Sequence, residues 1–394
     1  MKVLVFTSLY PNNVWPNHGV FIKERMTQFA QFDGCEIKVV APVPYFPSAL
    51  RLNWRWKFSQ IALREIRDSV EVYHPRFLIP PKLGMIFYGL LMALASITTI
   101  REIRKEFDFD LIDAHYVYPD GLAAIFIGFL FKRPVVVSAR GSDINLYGTL
   151  PFIRKLLQYT LRRAVRVIAV CQALKKAMVS LGVSQEKIEV VPNGVDTSKF
   201  YCVPKHEARQ RLGLPADKKI VLSVGGLIPR KGFDLLIQAV AILLSGSEMR
   251  NLHLVIAGEG PSRDHLTRLA SALGCGNTVQ FAGAIPHQQL YLWYSAADCF
   301  CLASSREGWP NVILESLACG TPVVATDIWG VPEVINSGAV GLLTQRTEGA
   351  IADGILVALR KEWYADDLVE YANSHTWKCT ASAVREVFIS VLDD

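Results

Sequence analysis

Short uninterrupted apolar runs recur along the first half of the chain, separated by amphipathic stretches. Val3–Phe6 reads as a strand buried on both faces. A Pro/Asn/Gly-rich loop follows, Pro11 to Gly19. Val20–Ala30 then sets Phe21, Ile22, Met26 and Phe29 along one side, which predicts a helix. Glu36–Ala41, Leu111–Ala114, Pro134–Ser138 and Val165–Val170 continue the strand series. This alternation predicts a doubly wound parallel sheet.

The rhythm breaks at the turn-rich stretch Val190–Asp196 and then restarts. Strands are predicted at Ile220–Val224, His253–Ala257, Thr278–Phe281, Cys299–Leu302 and Pro322–Thr326, with helices over Phe233–Leu244 and around Asp264–Leu273. A second Rossmann-like domain is the economical reading. The division falls near residues 192–200, giving domains 1–195 and 196–394. Ala381–Leu392 predicts a last helix. Periodicity leaves open whether the segment from about 376 to 394 packs on the second domain or returns to the first.

Leu83–Ile100 runs 18 residues without a charge between Lys82 and Arg101, the lower limit for a membrane span. Its Gly84, Gly89, Ser96, Thr98 and Thr99 favour a buried amphipathic or core helix instead. Met1–Ser8 has one Lys, a short apolar run and no small-residue cleavage site after it, so no signal peptide is expected there.

A chain of 394 residues with 51% hydrophobic and 20% charged positions is globular, which excludes disordered, collagenous and disulfide-scaffold classes. Its eight cysteines form no CxxC pair and are expected to be reduced thiols of a cytosolic protein. The net charge of +6 is uneven. Up to Val191 there are 25 Lys+Arg against 15 Asp+Glu; from Pro192 on, 17 against 21. A basic first half suits an anionic substrate or membrane surface. No compact Lys/Arg block with interleaved aromatics points to nucleic acid.

Four constellations could carry chemistry. In Glu307–Glu315 (EGWPNVILE) a loop carboxylate follows a predicted strand. Pro310 suits the first turn of a helix that runs through Leu317 and stops at Gly320. Glu315 falls about one turn in, beyond Gly308, Asn311 and Val312. Free N–H groups at such a helix start can hold a diphosphate, with a carboxylate gripping each end of the ligand. Ser223–Asp234 (SVGGLIPRKGFD) is a strand, a Gly-bearing loop with Arg230 and Lys231, and a helix, a form that brings cations to phosphate oxygens. His115, in Ala114–Gly121 (AHYVYPDG), ends a predicted strand of the first domain. Arg140–Asp143 (RGSD) also follows a strand. The competing readings are surface acids, a solvated Arg-Lys pair and a structural histidine. No Walker A, G-x-S-x-G, H-E-x-x-H or first-strand G-x-G-x-x-G occurs, and the dispersed histidines form no zinc set.

With these motifs the chain resembles glycosyltransferase family 4, the retaining nucleotide-sugar enzymes of GT-B fold, in which two Rossmann-like domains face each other across a cleft. The resemblance covers nearly the whole chain. It runs through the loop ending at Gly19, Ala114-His115, Arg140–Asp143, Pro192–Asp196, Lys231-Gly232, Gly258–Pro261, Phe281–Gly283 and the E-x7-E pair Glu307/Glu315. Ser8–Asn12, Gly19–Ile22 and His115–Gly121 look like the branch with teichuronic acid and exopolysaccharide transferases.

The resemblance implies transfer of a hexose from a nucleoside-diphosphate sugar, UDP favoured over GDP, to a saccharide or lipid-linked acceptor in cell-envelope polysaccharide synthesis. It implies no cofactor and no metal. Glu307 would bond the transferred sugar, Glu315 the ribose, and Arg230 and Lys231 the leaving diphosphate. His115 would lie beside the sugar as a catalytic group with Lys231 and Glu307. Gly19, Gly283, Gly308, Pro310, Asn311 and Val312 complete the donor set, and Asp120, Arg140 and Asp143 lie on the acceptor side. Many members carry Arg where this chain has Gly226, a place Arg230 could fill. The alternatives are a GT-B sugar-nucleotide epimerase and a non-catalytic partner subunit. A cytoplasmic enzyme is expected, peripheral on the inner face of the membrane through the basic-aromatic stretch Arg51–Phe58 (RLNWRWKF).

Overall fold

A computed structural model describes residues 1–47, 54–79, 85–246 and 249–393, with Trp54 described by its backbone. The chain divides into two compact units, Met1–Asn193 with Trp377–Asp394, and Gly194–Thr376.

Among the described residues the first unit has ten strands: β1 (Lys2–Phe6), β2 (Glu36–Val40), β3 (Val43–Pro44), β4 (Arg64–Arg67), β5 (Val70–Tyr73), β6 (Arg76–Phe77), β7 (Leu111–His115), β8 (Val135–Ala139), β9 (Arg166–Ala169) and β10 (Ile188–Val190). Eight form one sheet in the order β10-β9-β8-β7-β1-β2-β5-β4, and β3 pairs with β6. All neighbours in the large sheet are parallel except β4, which is antiparallel to β5 at the edge. Every residue of β7 and β8 is buried, as expected of parallel strands covered on both faces. The β4–β5 hairpin turns at Asp68 and Ser69, both at positive φ (47° and 66°), the backbone of a two-residue turn matched to strand twist.

The second unit carries β11 (Lys219–Val224), β12 (Leu252–Ala257), β13 (Val279–Gly283), β14 (Cys299–Leu302), β15 (Val323–Thr326) and β16 (Gly341–Thr344) in one all-parallel sheet, ordered β13-β12-β11-β14-β15-β16. Helix Phe233–Ser245 buries Phe233, Leu236, Ile237 and Val240 over it.

The final helix, Trp377–Asp393, packs against helix Val20–Phe29 of the first unit, with Phe388 edge-on to Phe29 at 5.4 Å. The charge-free stretch forms helix Tyr88–Glu106; its first residues, 83 and 84, lie outside the described ones. Together with the turn before it, this helix is long and apolar enough to cross a membrane by length and composition. It nevertheless buries Gly89, Met92, Ala93, Ser96, Ile100 and Ile103 against helix Leu122–Phe131 and its neighbours. Of the basic-aromatic stretch, residues 51–53 lie outside the described ones. Trp54–Gln60 is a 3-10 helix, with Phe58 packed edge-on to Trp15 at 4.9 Å.

Candidate functional site

Among the parallel strands of each sheet the chain order reverses direction once, beside β1 in the first unit and β11 in the second, and the candidate residues gather at those two points. Strand β11 is followed on one side by β12 and β13, while β14 pairs on its other side. The loops leaving β11 and β14 therefore diverge and open a crevice at the carboxyl ends of the strands, where ligands of such sheets bind. Arg230 and Lys231 lie on the first loop, Glu307 on the second. Ser305 N–H donates to the Arg230 carbonyl at 2.9 Å and ties the loops together.

Lys231 Nζ donates to Glu307 Oε1 at 2.6 Å, Ser304 Oγ to the same oxygen at 2.7 Å, and Arg230 Nη1 lies 3.4 Å from Oε2. Burial opposes ionisation of Glu307, but the charges of Lys231 and Arg230 and the hydrogen bonds from Lys231 and Ser304 hold its carboxyl below the usual range. It is an anion at neutral pH, with two cations at hand for a second, larger anion.

Glycine makes the close backbone packing here possible. A Cβ on Gly232, at φ 69°, would come 2.1 Å from the Ala303 carbonyl, and one on Gly258, at φ 148°, 1.9 Å from that of Gly225. Gly283 accepts from Gly258 N–H at 2.7 Å and brings the end of β13 to the same rim. At Gly226 a Cβ would meet only Glu259 O at 3.8 Å, so the position is open to a side chain.

Gly308 and Pro310 are buried, and Pro310 stands immediately before helix Asn311–Ala318 rather than inside its first turn. Asn311 and Val312 begin that helix. Glu315, one turn on, is buried and differently partnered: its Oε2 accepts from Tyr294 Oη at 3.0 Å, and its Oε1 lies 3.2 Å from His287 Nε2. Burial and the Glu315 carboxylate push the Tyr294 hydroxyl well above its ordinary value, so it stays a donor. Ser304, His287 and Tyr294 were not evident from sequence, nor was Trp309, whose indole Nε1 is buried without a partner in the Glu307 loop.

In the first unit, β1 and β7 flank the corresponding reversal, with β2 beyond β1. The Ser8 N–H donates to Asp120 Oδ1 and joins the loops after β1 and β7. Gly19, at φ 69°, precedes helix Val20–Phe29; a Cβ there would come 2.2 Å from the Leu9 carbonyl. His115 is fully buried at the end of β7. Arg140 Nη2 donates to its Nδ1 at 2.5 Å, and its Nε2 lies 3.0 Å from Asp113 Oδ2. Arginine can only donate, so Nδ1 carries the lone pair and the ring proton sits on Nε2 beside the carboxylate. Burial pushes the imidazole down to about 3 despite Asp113, which leaves it neutral.

Arg25 pairs with Asp113 at 2.7 Å and reaches Ser138 Oγ at 3.1 Å. Asp113 was missed in the sequence, although its place two residues before His115 sets both side chains on one face of β7. Arg140 also donates to Asn193 Oδ1 at 3.0 Å. Asp143 accepts from the N–H groups of Val117 (2.9 Å) and Gly141 (2.8 Å) and so pins the loops after β7 and β8. Asp120 is buried with Oδ2 unpartnered, and burial raises its carboxyl to about 7. His115, Asp120, Arg140 and Asp143 thus share one neighbourhood in the first unit, and Arg230, Lys231 and Glu307 another in the second. Among the described residues no three His, Cys, Asp or Glu side chains gather as a metal set.

Two family models match the chain: "Glycosyltransferase Family 4" over residues 25–199 and "Glycosyl transferases group 1" over 204–375. The glycosyltransferase TuaC of Bacillus subtilis (strain 168), named for teichuronic acid biosynthesis, is 32% identical over 94% of this chain and 93% of its own length. A D-inositol 3-phosphate glycosyltransferase of Acidothermus cellulolyticus is 37% identical over 54% of this chain and 50% of its own. Among solved structures, a sucrose-phosphate synthase from Thermosynechococcus elongatus superposes with TM-score 0.78 at 18% identity, over 100% of this chain and 99% of that one. Anabaena HepE, solved with UDP-glucose, gives 0.73 at 21% over 99% and 100%. These likenesses give the GT-B fold. With both halves matched by the family models and a relative aligned nearly end to end, the chain belongs to glycosyltransferase family 4.

Proposed function

We propose that the chain transfers a hexosyl group, with retention at the anomeric carbon, from a nucleoside-diphosphate sugar to a saccharide or lipid-linked acceptor in cell-envelope polysaccharide synthesis. The observation that carries this reading is the Glu307 carboxylate held by Lys231 and Arg230 where the sheet order reverses. A carboxylate there accepts hydrogen bonds from sugar hydroxyls, while the two cations offset charge on the departing diphosphate. Charge stabilisation of that kind acts most strongly in the transition state. The bond from the anomeric carbon to the phosphate oxygen breaks as the acceptor oxygen bonds on the same face. A donor phosphate oxygen takes the acceptor proton.

Glu315 is assigned to the ribose, with His287 and Tyr294 holding it in place. Gly19, Gly283, Gly308, Pro310, Asn311 and Val312 are assigned to shaping the donor pocket, and Asp120, Arg140 and Asp143 to the acceptor side. His115, neutral and buried between Arg140 and Asp113, orients the sugar in this reading rather than moving a proton. Arg230 stands in for the Arg that many family members carry at Gly226. Cations at the phosphate support turnover without added divalent metal. UDP is preferred as the base carrier, in keeping with the ligand of HepE. The enzyme works on the cytoplasmic face of the membrane, held peripherally by its basic first unit.

A thermal-shift panel of UDP-, GDP- and ADP-glucose tests donor binding, because a ligand of the native state raises its apparent stability. Product analysis with and without a lipid-linked acceptor then tests transfer. A glycosylated acceptor is the expected product. An isomerised sugar released without acceptor would identify an epimerase, and binding without turnover a partner subunit. Reversible loss of activity in chelator would overturn the metal-independent reading.

A further inference from the structure

Three neighbouring helices of the first unit share an outer face that is apolar and basic. Helix Tyr88–Glu106 packs on Leu122–Phe131, which packs on Pro151–Arg163. The first pair closes at Gly89, where a Cβ would come 2.9 Å from Leu122 Cδ2. An ordinary surface helix turns polar side chains to water. The middle helix instead exposes Phe126, Phe129 and Leu130, with Phe129 89% exposed. Helix Tyr88–Glu106 adds exposed Leu90 and Leu94, and the third helix adds Phe152 at 71%.

The polar part of this face is predominantly basic, although helix Tyr88–Glu106 also exposes Glu102 and Glu106 near its end. Between Gly121 and Gln185 the sequence holds ten Lys and Arg and a single acid, Asp143, which is buried. This stretch therefore accounts for most of the positive surplus of the first half. Helix Pro151–Arg163 turns Arg154, Lys155, Arg162 and Arg163 outward beside Phe152 and Tyr159, and Arg163 lies over the Tyr159 ring at 5.6 Å. At the far ends of the other two helices an open cleft of about 400 Å3 is lined by Arg101, Arg104, Lys105, Leu130 and Phe131. Asp108 and Glu102 pair with Arg104 and Lys105 at its rim.

We propose that this three-helix face docks on an anionic phospholipid bilayer, with Phe126, Phe129, Leu130 and Phe152 in the headgroup–acyl boundary and the cations of helix Pro151–Arg163 over lipid phosphates. Aromatic and aliphatic side chains ringed by Lys and Arg stems suit that boundary, since the stems lie along apolar surface and the charges stay at the phosphates. Charge complementarity selects the bilayer over a second copy of the chain, because two such faces would set cation against cation. The inference deepens the reading of a lipid-linked acceptor on the membrane's inner face, and it moves the contact from Arg51–Phe58 to the three helices.

Co-sedimentation of the full chain with phosphatidylcholine vesicles, with and without phosphatidylglycerol, tests the proposal. Binding is expected to anionic vesicles at low salt and to weaken as salt rises. Each basic residue near such a surface contributes about five-fold in partitioning. R154S/K155S/R162S/R163S is therefore expected to lose binding by about two orders of magnitude or more, and Phe129→Ser by about ten-fold. Both variants alter exposed positions and should keep the wild-type melting temperature. The UDP-glucose thermal shift, measured on the same variants without vesicles, reports the donor reading separately. If that shift is absent while vesicle binding follows the variants, the donor reading fails and the docking face stands. Equal binding of the wild type and the quadruple variant would overturn the proposal. So would no binding to anionic vesicles at low salt, or a Phe129-dependent dimer that ignores vesicles.

Discussion

Glu307→Gln keeps the shape of the side chain and removes its charge, which isolates what the charge contributes. With Gln there, Lys231 and Arg230 lose their buried counter-anion, and the amide cannot accept from sugar hydroxyls with both oxygens. The expected result is a fall in kcat of about 10²–10³-fold with the fold intact, and a comparable fall for Lys231→Ala. Glu315→Gln should instead raise the donor KM more than it lowers kcat. Steady-state kinetics on variants with wild-type circular dichroism check this, and near-normal turnover of Glu307→Gln would sink the assignment.

Asp120 couples stability to pH. Its carboxyl is raised to about 7 by burial, with Oδ2 unpartnered. The native state therefore holds a proton that the unfolded chain gives up near pH 4, and this group's contribution to stability falls as pH rises from about 4 to about 7. Asp120→Asn mimics the protonated acid at every pH. Its stability relative to the wild type should climb across that window and reach a few kcal/mol at pH 8. Urea melts at pH 5 and pH 8 measure it, and a difference independent of pH would show that Asp120 is already ionised at pH 5. His115 works the other way. Its imidazole, held down to about 3, costs stability as pH falls below about 6.5, because only the unfolded chain takes up that proton.

At the scale of elements, legibility followed burial. Cys299–Leu302 was readable to the residue because all four positions are buried in a parallel sheet. The edge pair β4–β5 escaped, since REIR and VEVY alternate with charges and the hairpin is defined by the φ of Asp68 and Ser69, neither of them glycine. β10 and β16 did not stand out, since each mixes buried with exposed and half-buried positions instead of forming a continuous buried run. The E-x7-E pair was legible because both carboxylates belong to one loop and helix. Their partners Ser304, His287 and Tyr294 were less so, since contact depends on where loops and helices meet in space. The glycines of the donor loops lend themselves to a test. Gly258→Ala would place a Cβ 1.9 Å from the Gly225 carbonyl at a φ of 148°. Backbone cannot yield as a flexible side chain does, so the β11 and β12 loops must part. The expected outcome is a loss of about 1–3 kcal/mol in stability together with a weakened UDP-glucose thermal shift. Gly226→Ala, with nothing closer than 3.8 Å, should leave both within error.

At the scale of the whole molecule, the last helix is the piece whose place the sequence could not give. Periodicity showed an apolar side on Trp377–Asp393 but not which body it covers. In the structure it completes the first unit, with Ala381, Val384, Phe388 and Val391 in the same cluster as Val3, Ile22, Met26 and Phe29. Thr380 Oγ1 donates to the Pro192 carbonyl at 2.9 Å and fixes the helix start to the end of that unit's own chain. A unit closed by a segment nearly 200 residues further along cannot finish its core until the chain between has been made. Phe388→Ala removes a fully buried ring stacked edge-on to Phe29 and should cost about 3–5 kcal/mol. That is a large share of the 5–15 kcal/mol typical of a domain. The loss should fall on the first unit although the mutated residue lies at the far end of the chain. Limited proteolysis of Phe388→Ala is expected to cut within residues 1–193 and spare a fragment close to 194–376, with the UDP-glucose thermal shift retained by that fragment's transition. Cleavage that begins within 194–376 and leaves the first unit whole would assign the helix to the other body.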